Sequence, residues 1–476
     1  MDFFDRVNRV VDLFKPLSSE VITIVGNIDT DGITATSILA YAFSNEKIPF
    51  ILTPTSQITD AFLHELVATS HNTILFIDLG SNLISTIETI LKDKTVFIID
   101  HHYPEKTNTT SNVVLLNPHL DGIDGTRDIS AAGVTYFFAK ALTDKTITVA
   151  HLAVIGAIGD VQDVDGMTGL NELILDDAIK TDKLDVTEGL LVYGAYTKPL
   201  YEVLEQSTNP YIPNVTGNES AAIKFLTSLG IPPRDERGYR ALNQLTPDET
   251  KKLIDTLVTL TKAADAKRFY GLIYLLEGQP LNSPTRDLRE FSTLLNCCGR
   301  MGKPGLGVAV CLGDKQAIKE ATLLMIDYRR EVVEAIRWFH KQRTKQTKSV
   351  IEGKGYAIIN AEGYIRDTII GTLTSLISKS NVYPDDTILL SAAHTLGDST
   401  KVSLRISGHH KGNINLRDLL QTIISKSGGH GGGHSLAAGA IIPQDKEDAF
   451  FSAAIDIMNK LAPEQGILPA ENAPLP

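Results

Sequence analysis

The chain has 476 residues, 43% of them hydrophobic and 21% charged, with a net charge of −12. That length predicts two or three domains with real cores, and the acidic balance argues against a broad basic nucleic-acid surface while leaving room for a local one. The N-terminal stretch MDFFDRVNRV carries acids and no long apolar run, which excludes a signal peptide or a membrane span there. Cys297, Cys298 and Cys311 lack CxxC spacing, so neither a disulfide framework nor a zinc knot is expected, and a reducing cytoplasm fits best.

Up to about residue 165, short apolar runs alternate with helical patterns. Strands are predicted at EVITIVG (20–26), FILT (50–53), TILFID (73–78), TVFIID (95–100) and NVVLLN (112–117). Helices follow several of them, notably GITATSILAYAFS from Gly32, and ISAAGVTYFFAKAL reads as a helix starting near Ser130. This alternation predicts a parallel sheet covered on both faces. From about 185 to 285 the strand signal fades. NESAAIKFLTSLG reads as a helix ending at Gly230, and Thr246, Pro247 and Glu249 occupy the N-cap, N1 and N3 positions of another. QAIKEATLLMIDYRREVVEAIRWFHKQRTKQ, residues 316–346, lacks Gly and Pro and predicts one long helix connecting two lobes. Its end is basic: Arg329, Arg330, Arg337, Lys341, Arg343, Lys345 and Lys348 outnumber Glu331 and Glu334, a run that reads equally as a solvated face. Strands return with GYAIIN, DTILLSAAH, KVSLRIS and AAGAIIP, so a second α/β domain is expected. The boundaries follow: a parallel-sheet domain over 1–189, a mostly helical insertion over 190–285, remaining core elements and the connecting helix over 286–350, a smaller α/β domain over 351–462 and a Pro- and Ala-rich loose tail over 463–476.

Acidic and imidazole residues recur where apolar runs end. Asp29 and Asp31 follow the first strand, Asp78 closes the third, Asp100-His101-His102 closes the fourth, and Asp160 follows the apolar run AVIGAIG, read as a further strand. Each alone has an ordinary reading as a turn or a cap. Four such placements together point to one site, because ligands of open α/β sheets bind outside the carboxyl ends of the strands. Carboxylates and imidazoles brought that close repel or shift their pKa values unless a divalent cation neutralises them. Mn²⁺ accepts both oxygen and nitrogen ligands. Two such ions roughly 3.5–4 Å apart would activate water and stabilise a departing alkoxide in phosphodiester hydrolysis, with Asp78 the natural bridge. Downstream, SGGHGGGHSLAAGA places His430 and His434 among Gly429, Gly431, Gly432 and Gly433, predicting a loop where backbone N–H groups approach a phosphate. Arg405, His409 and His410 lie just upstream and are candidates for the same groove.

These motifs resemble the DHH phosphoesterase superfamily, whose name is the triplet Asp100-His101-His102. VGNIDTDGITAT is similar to its first motif, and GGHGGGH to that of its C-terminal partner domain, DHHA1. NPHLDGIDGTRDISAAG, GAIGDVQD, NPYIPNVTGN and RDLREFSTLLNCCGRMGKPGLGVAVCLG resemble stretches of the archaeal RecJ-like, GINS-associated nucleases. The resemblance implies a two-lobed DHH–DHHA1 fold and a single-strand exonuclease acting on DNA or RNA. It implies two divalent ions, Mn²⁺ preferred and Mg²⁺ second. The implied partners are the GINS complex and, as a further candidate, the MCM helicase. Carried over by motif, Asp29 and Asp31 each ligate one metal, Asp78 bridges, and His101 and Asp160 complete the second site. His102 faces the scissile phosphate and Asp100 orients His101, while His430 and His434 hold the nucleic-acid backbone. Asn27 stands where the first motif usually has His or Asp, and its neutral amide is at best a weak ligand. That departure keeps a rival open, a replication scaffold with a weak or vestigial site. A phosphodiesterase for short oligonucleotides is another.

Overall fold

Five apolar runs pair into one sheet in the first part of the chain. β1 (Ile22–Gly26), β2 (Phe50–Leu52), β3 (Thr73–Ile77), β4 (Thr95–Ile99) and β5 (Val113–Leu116) lie in the order β2-β1-β3-β4-β5, all parallel. Every residue of β1 and β3 is buried, which explains why these runs are continuously apolar instead of alternating. The strand order reverses direction at β1, so the switch point of the sheet opens between the carboxyl ends of β1 and β3. The computed structural model describes residues 2–464 apart from 165, 193, 196, 197, 208–211, 213, 214, 237, 262–269, 281, 381, 409–413 and 434. It divides into two compact units, Met1–Met325 and Ile326–Pro476, and both are α/β, as the sequence predicts.

Helices cover the first sheet. α1 (Phe3–Phe14) was not anticipated. It buries Phe3, Val7, Val10, Val11 and Phe14 along one stripe. Phe14 stacks on Phe43 of α2 (Thr30–Glu46), with ring centroids 5.4 Å apart. It also meets Phe97 of β4 and Phe138 edge-on. After α3 (Asp60–Val67) and α4 (Ile84–Ile90) come α5 (Ala131–Leu142) and α6 (Ala150–Gly159), which pack together against α2. α6 corrects the sequence reading: the run before Asp160 is a helix, not a strand. The helix is ten residues long, more than a typical strand, but an almost wholly apolar run has no periodicity that separates a buried strand from a helix buried all round. Gly156 lets α6 approach; a Cβ there would lie 2.4 Å from Asp31 Oδ1 and 2.5 Å from Ala132 Cβ.

α7 (Leu170–Lys180) leads into β6 (Leu184–Leu190), which pairs antiparallel with β9 (Tyr270–Leu276). Between these strands lie α8 (Leu200–Gln206), α9 (Glu219–Ser228), the short pair β7 (Arg234–Asp235) and β8 (Gly238–Tyr239), and α10 (Pro247–Thr261). They share a core that includes Leu200, Leu204, Leu226, Leu253 and Leu257. Thr246 and Glu249 form the expected capping box: Glu249 N donates to Thr246 Oγ1 (3.2 Å) and Thr246 N to Glu249 Oε2 (2.8 Å). The segment is therefore helical at its centre, but its ends form a two-stranded sheet that local patterning did not reveal. LDVTEGL is half exposed and carries Glu and Gly, so its strand character comes from its distant partner.

α11 (Leu288–Arg300) and α12 (Pro304–Cys311) pack back against α2, with all three cysteines free and buried on them. α11 holds the loop after β1. Asn296 Oδ1 accepts from Thr30 N (3.1 Å), and Thr30 Oγ1 donates to the carbonyl of Ser292 (2.7 Å). α13 (Lys315–Thr344) is the expected long helix. In the second unit β10 (Val350–Gly353), β11 (Tyr356–Asn360), β12 (Ile388–His394), β13 (Ser399–Ile406), β14 (His430–Gly433) and β15 (Ala437–Pro443) form one mixed sheet in the order β10-β11-β12-β13-β15-β14. α14 (Asp367–Lys379) packs against β12 and β13, and α15 (Leu416–Ser427) and α16 (Glu447–Glu464) pack against the sheet, burying Leu390, Leu404, Leu420 and Phe450. Here too the structure corrects an expectation, because His430–Gly433 is an edge strand and not a free loop. Its glycines fit a close backbone approach: a Cβ on Gly431 would lie 2.7 Å from the carbonyl oxygen of Gly439. The tail beyond 464 lies outside the described residues. Among the described residues no helix is long and apolar enough to cross a membrane.

Gly299 of α11 carries a testable consequence. A Cβ there would sit 1.7 Å from the carbonyl oxygen of Ile28, in the loop that follows β1. Gly299→Ala should destabilise the first unit by about 1–3 kcal/mol through overpacking, read as a lower urea midpoint at unchanged slope. A wild-type midpoint would refute this helix-on-loop packing.

Candidate metal centre

The loops after β1, β3 and β4 and the end of α6 converge on one cluster of acids and imidazoles. Asp29 is the N-cap of α2, where its Oδ1 accepts from Gly32 N (3.0 Å). Asp31, in the first turn of α2, is 1% exposed. Its carboxylate receives the N–H groups of Ala131 (2.7 Å) and Ala132 (2.9 Å) at the start of α5, a helix N-terminus that favours a negative charge. Asp78 follows β3 with a left-handed backbone, φ +60°, an uncommon conformation for a residue with a side chain. Asp160 is the C-cap of α6.

His101 is the centre of the arrangement. It is 6% exposed, and its Nδ1 is 2.6 Å from the carbonyl oxygen of Gly125. A carbonyl can only accept, so Nδ1 carries a hydrogen, and in the neutral ring Nε2 presents its lone pair. That Nε2 lies 3.2 Å from Asp160 Oδ2, 3.5 Å from Asp78 Oδ1 and 3.9 Å from Asp31 Oδ2. Neither His101 Nε2 nor Asp78 Oδ1 has a hydrogen-bond partner, although both are buried. Buried polar atoms are almost always satisfied. In the neutral ring that lone pair faces three carboxyl groups, and the donor set, oxygen with one imidazole nitrogen, fits a divalent metal. Asp31, His101 and Asp160 form one ligating group by proximity, and Asp78, Asp100, His101 and His102 another.

Asp100 organises the triplet. It is buried and accepts from Ser81 N (3.0 Å), His101 N (2.8 Å), His102 N (3.2 Å) and His102 Nδ1 (2.8 Å). Burial pushes its carboxyl up, but the adjacent His102, by charge and hydrogen bonding, holds it well below the usual carboxylate range. His102 answers in kind. Burial works against its charge, yet Asp100 raises its pKa to about 9. Asp100 thus orients both histidines, contacting the His101 backbone and the His102 ring; the His101 ring itself is oriented by Gly125. Burial raises Asp31, and it raises Asp78 and Asp160 well above the usual range, with the neighbouring carboxylates adding to the effect in each.

Sequence reasoning missed several supporting groups. Asn117, which ends β5, donates to Ser81 Oγ (3.0 Å) and to the carbonyl of His102 (2.8 Å). A polar residue closing an apolar strand was a readable signal, the same one that marked Asp78. Gly125, Ala131 and Ala132 act through backbone atoms and carry no such signal. Asn27 is held by three hydrogen bonds: its Nδ2 donates to Asp29 and Asp78, while its Oδ1 accepts from Ile28 N. In the second unit, Arg405 lies on β13, where its Nη1 donates to the carbonyl of Leu404 (2.7 Å). His430 is exposed on β14 with Gly431, Gly432 and Gly433, and Gly429 precedes it. His409, His410 and His434 lie outside the described residues.

Three family descriptions match this chain: the DHH family N-terminal domain over residues 21–159, the DHH-CID domain over 192–270 and the DHHA1 domain over 354–460. An uncharacterized protein of Methanocaldococcus jannaschii is 29% identical over 470 residues, covering 96% of this chain and 99% of that one. Among solved structures, Cdc45 from Entamoeba histolytica superposes with a TM-score of 0.62 at 12% identity, covering 95% of this chain and 98% of that one. RecJ from Thermus thermophilus, in complex with Mn²⁺, superposes at 0.58 with 14% identity. This chain is covered to 97% but spans only 55% of that RecJ chain. An exonuclease RecJ bound to manganese superposes at 0.55 with 15% identity, covering 95% of this chain and 94% of that one.

The raised carboxylates and His102 give a pH dependence with a definite sign. Groups whose pKa is higher in the folded chain than in the unfolded one stabilise it at low pH and lose that contribution as pH rises. For His102 the window runs from the ordinary value of 6.5 to about 9; Asp78 and Asp160, raised by burial and by their acidic neighbours, act in the same direction from 3.8 upward. The melting temperature of chelator-treated protein should therefore fall across the His102 window, and Mn²⁺ should restore it most at the alkaline end. Mn²⁺ binding should also release protons, measured by calorimetry in buffers of different ionisation enthalpy. A buffer-independent binding enthalpy at neutral pH would contradict the assignment.

Proposed function

Because this chain belongs to the DHH superfamily, on its RecJ-like branch, we propose that it is a metal-dependent phosphodiesterase that shortens single-stranded DNA or RNA from an end. The observation that carries the reading is the buried His101 Nε2, unpartnered and facing Asp31, Asp78 and Asp160. Asp29 and Asp31 would each hold one cation, Asp78 would be shared, and His101 and Asp160 would complete the second position. When bound, two divalent ions, Mn²⁺ in preference to Mg²⁺, supply a nucleophilic water near neutral pH and neutralise charge on the leaving oxygen. His102 acts from this chain. Asp100 takes its Nδ1–H and keeps it cationic at neutral pH, so Nε2 is the ring atom available to a phosphate oxygen. There it stabilises developing negative charge or gives up a proton. His430 and His434, with Gly429, Gly431, Gly432 and Gly433, would hold the phosphate backbone of the strand, with Arg405 and His409 as further candidate contacts. The assignment fits a cytoplasmic protein working with the GINS complex, with the 190–285 segment as the contact surface and the MCM helicase as a further candidate partner.

A second reading, a replication scaffold with a weak centre, draws on one observation: Asn27 fills the space between Asp29 and Asp78 with an amide. Hydrolysis rates on long single strands, on dinucleotides and on neither separate the exonuclease, a short-oligonucleotide phosphodiesterase and the scaffold.

Two substitutions test the site. Asp78→Ala should leave folding intact and lower turnover by at least roughly 10³-fold, since both ions lose a shared ligand. Wild-type turnover in that variant, with Mn²⁺ present, would sink the two-ion reading. His430→Ala should weaken binding of long strands and leave Mn²⁺ titrations unchanged; loss of an ion would assign β14 to the metal centre instead.

A further inference from the structure

The two oxygens of Asp78 have different surroundings. Oδ2 receives a hydrogen bond from Asn27 Nδ2 at 3.1 Å. Oδ1 has no hydrogen-bond partner; it lies 3.5 Å from His101 Nε2, itself without a hydrogen bond, and 3.7 Å from His102 Nδ1. The amide of Asn27 is fully engaged on its nitrogen side, because Nδ2 also donates to Asp29 Oδ2 at 3.1 Å. Its carbonyl, the only atom through which Asn27 could ligate a cation, is turned away and accepts from Ile28 N at 2.8 Å. Turning the amide over would bring an NH₂ group against the Ile28 N–H, donor against donor, and would break all three bonds. The backbone offers little relief. Gly32 sits so close that a Cβ there would lie 2.5 Å from Asn27 Cβ, and Asn27 N is bonded to the carbonyl of Ile77 in β3.

We propose that Asn27 keeps the Asp29 side of the centre closed with its amide, so that the ions load in order. The position among Asp31, His101, Asp160 and Asp78 Oδ1 fills first. The position between Asp29 and Asp78 Oδ2 fills only when a cation displaces the amide. The amide N–H groups carry partial positive charge, so they calm these carboxylates without neutralising them. The ordering is a property of this chain's own residue 27: a carboxylate or imidazole there would add a ligand where the amide adds a competitor. The inference rests on the metal-centre reading above and deepens it, since one ion becomes resident and the other conditional.

The test uses the full chain and Mn²⁺ alone. Wild-type protein titrated by calorimetry should bind one ion, then a second at least roughly tenfold more weakly, the scale on which a changed ligand environment acts. Electron paramagnetic resonance at one equivalent should show an isolated Mn²⁺. Asn27→Asp should close the gap between the two affinities and give the signal of an exchange-coupled pair at two equivalents. Asn27→Ala should keep the first ion with unchanged affinity, and a thermal melt confirms that each variant is folded. The ordering is overturned if wild-type protein takes up two ions with equal affinity, if Asn27→Asp leaves the gap unchanged, or if Asn27→Ala loses the first ion. In those cases the metal centre itself still stands. Wild-type protein that binds no Mn²⁺ removes both the centre and the ordering.

Discussion

Negative charge held out of water is the constraint around which the first unit is built. Asp31, Asp78 and Asp100 are each 1% exposed, and Asp160 joins them around one imidazole. An isolated buried carboxylate is costly, and specific pieces of the fold compensate Asp31 and Asp100. The start of α5 delivers two N–H groups to Asp31. Three backbone N–H groups and the His102 ring converge on Asp100. The approach of α6 and α11 to the β1 loop, through Gly156 and Gly299, brings Asp160 into reach and fixes the loop that carries Asp29 and Asp31. The compensation fails at Asp78 Oδ1 and His101 Nε2.

Compensation of this kind explains what could be read from the sequence. The strand-end acids and the histidine pair were legible because an ionisable residue closing an apolar run is a local signal, visible without knowing what lies across the sheet. Asp160 was found for a partly mistaken reason. Its apolar run is a helix, yet either element would bring an acid to the same cluster. The groups that tune these residues were not legible. Gly125 acts through a carbonyl, Ala131 and Ala132 through N–H groups, and such atoms exist at nearly every position. Asn117 could have been found, since it closes β5 as Asp78 closes β3. The β6–β9 pair and the edge strand β14 were missed for another reason. Their strand character depends on partners distant in sequence or on glycines whose role is a close backbone contact.

Backbone conformation adds to the case that the arrangement serves a ligand. Asp78 takes φ +60° directly after a fully buried strand. A left-handed residue with a side chain costs on the order of 1–2 kcal/mol. The turn aims the carboxylate into the cluster, where burial and its acidic neighbours raise its pKa further. Strain and charge repulsion thus fall on the same residue. A fold selected for rigidity alone would place a glycine there, which accepts the backbone and brings no charge.

Enzyme and scaffold place different demands on this interior. A scaffold needs surfaces, and its interior is most stable when every buried polar atom has a partner. Several buried side-chain atoms break that rule, Thr36 Oγ1 and His151 Nδ1 among them, but Asp78 Oδ1 and His101 Nε2 do so 3.5 Å apart within one cluster of ionisable groups, and replacing such groups by apolar ones of similar shape is often neutral or stabilising. Asn27 shows that the same cluster can be quieted without an ion: on the Asp29 side an amide supplies the missing donors. No equivalent donor reaches His101 Nε2, whose surroundings are three carboxylates. The side that is closed by hydrogen bonds suits either reading. The side left open suits a bound cation, and it is on that open side that the enzyme reading rests.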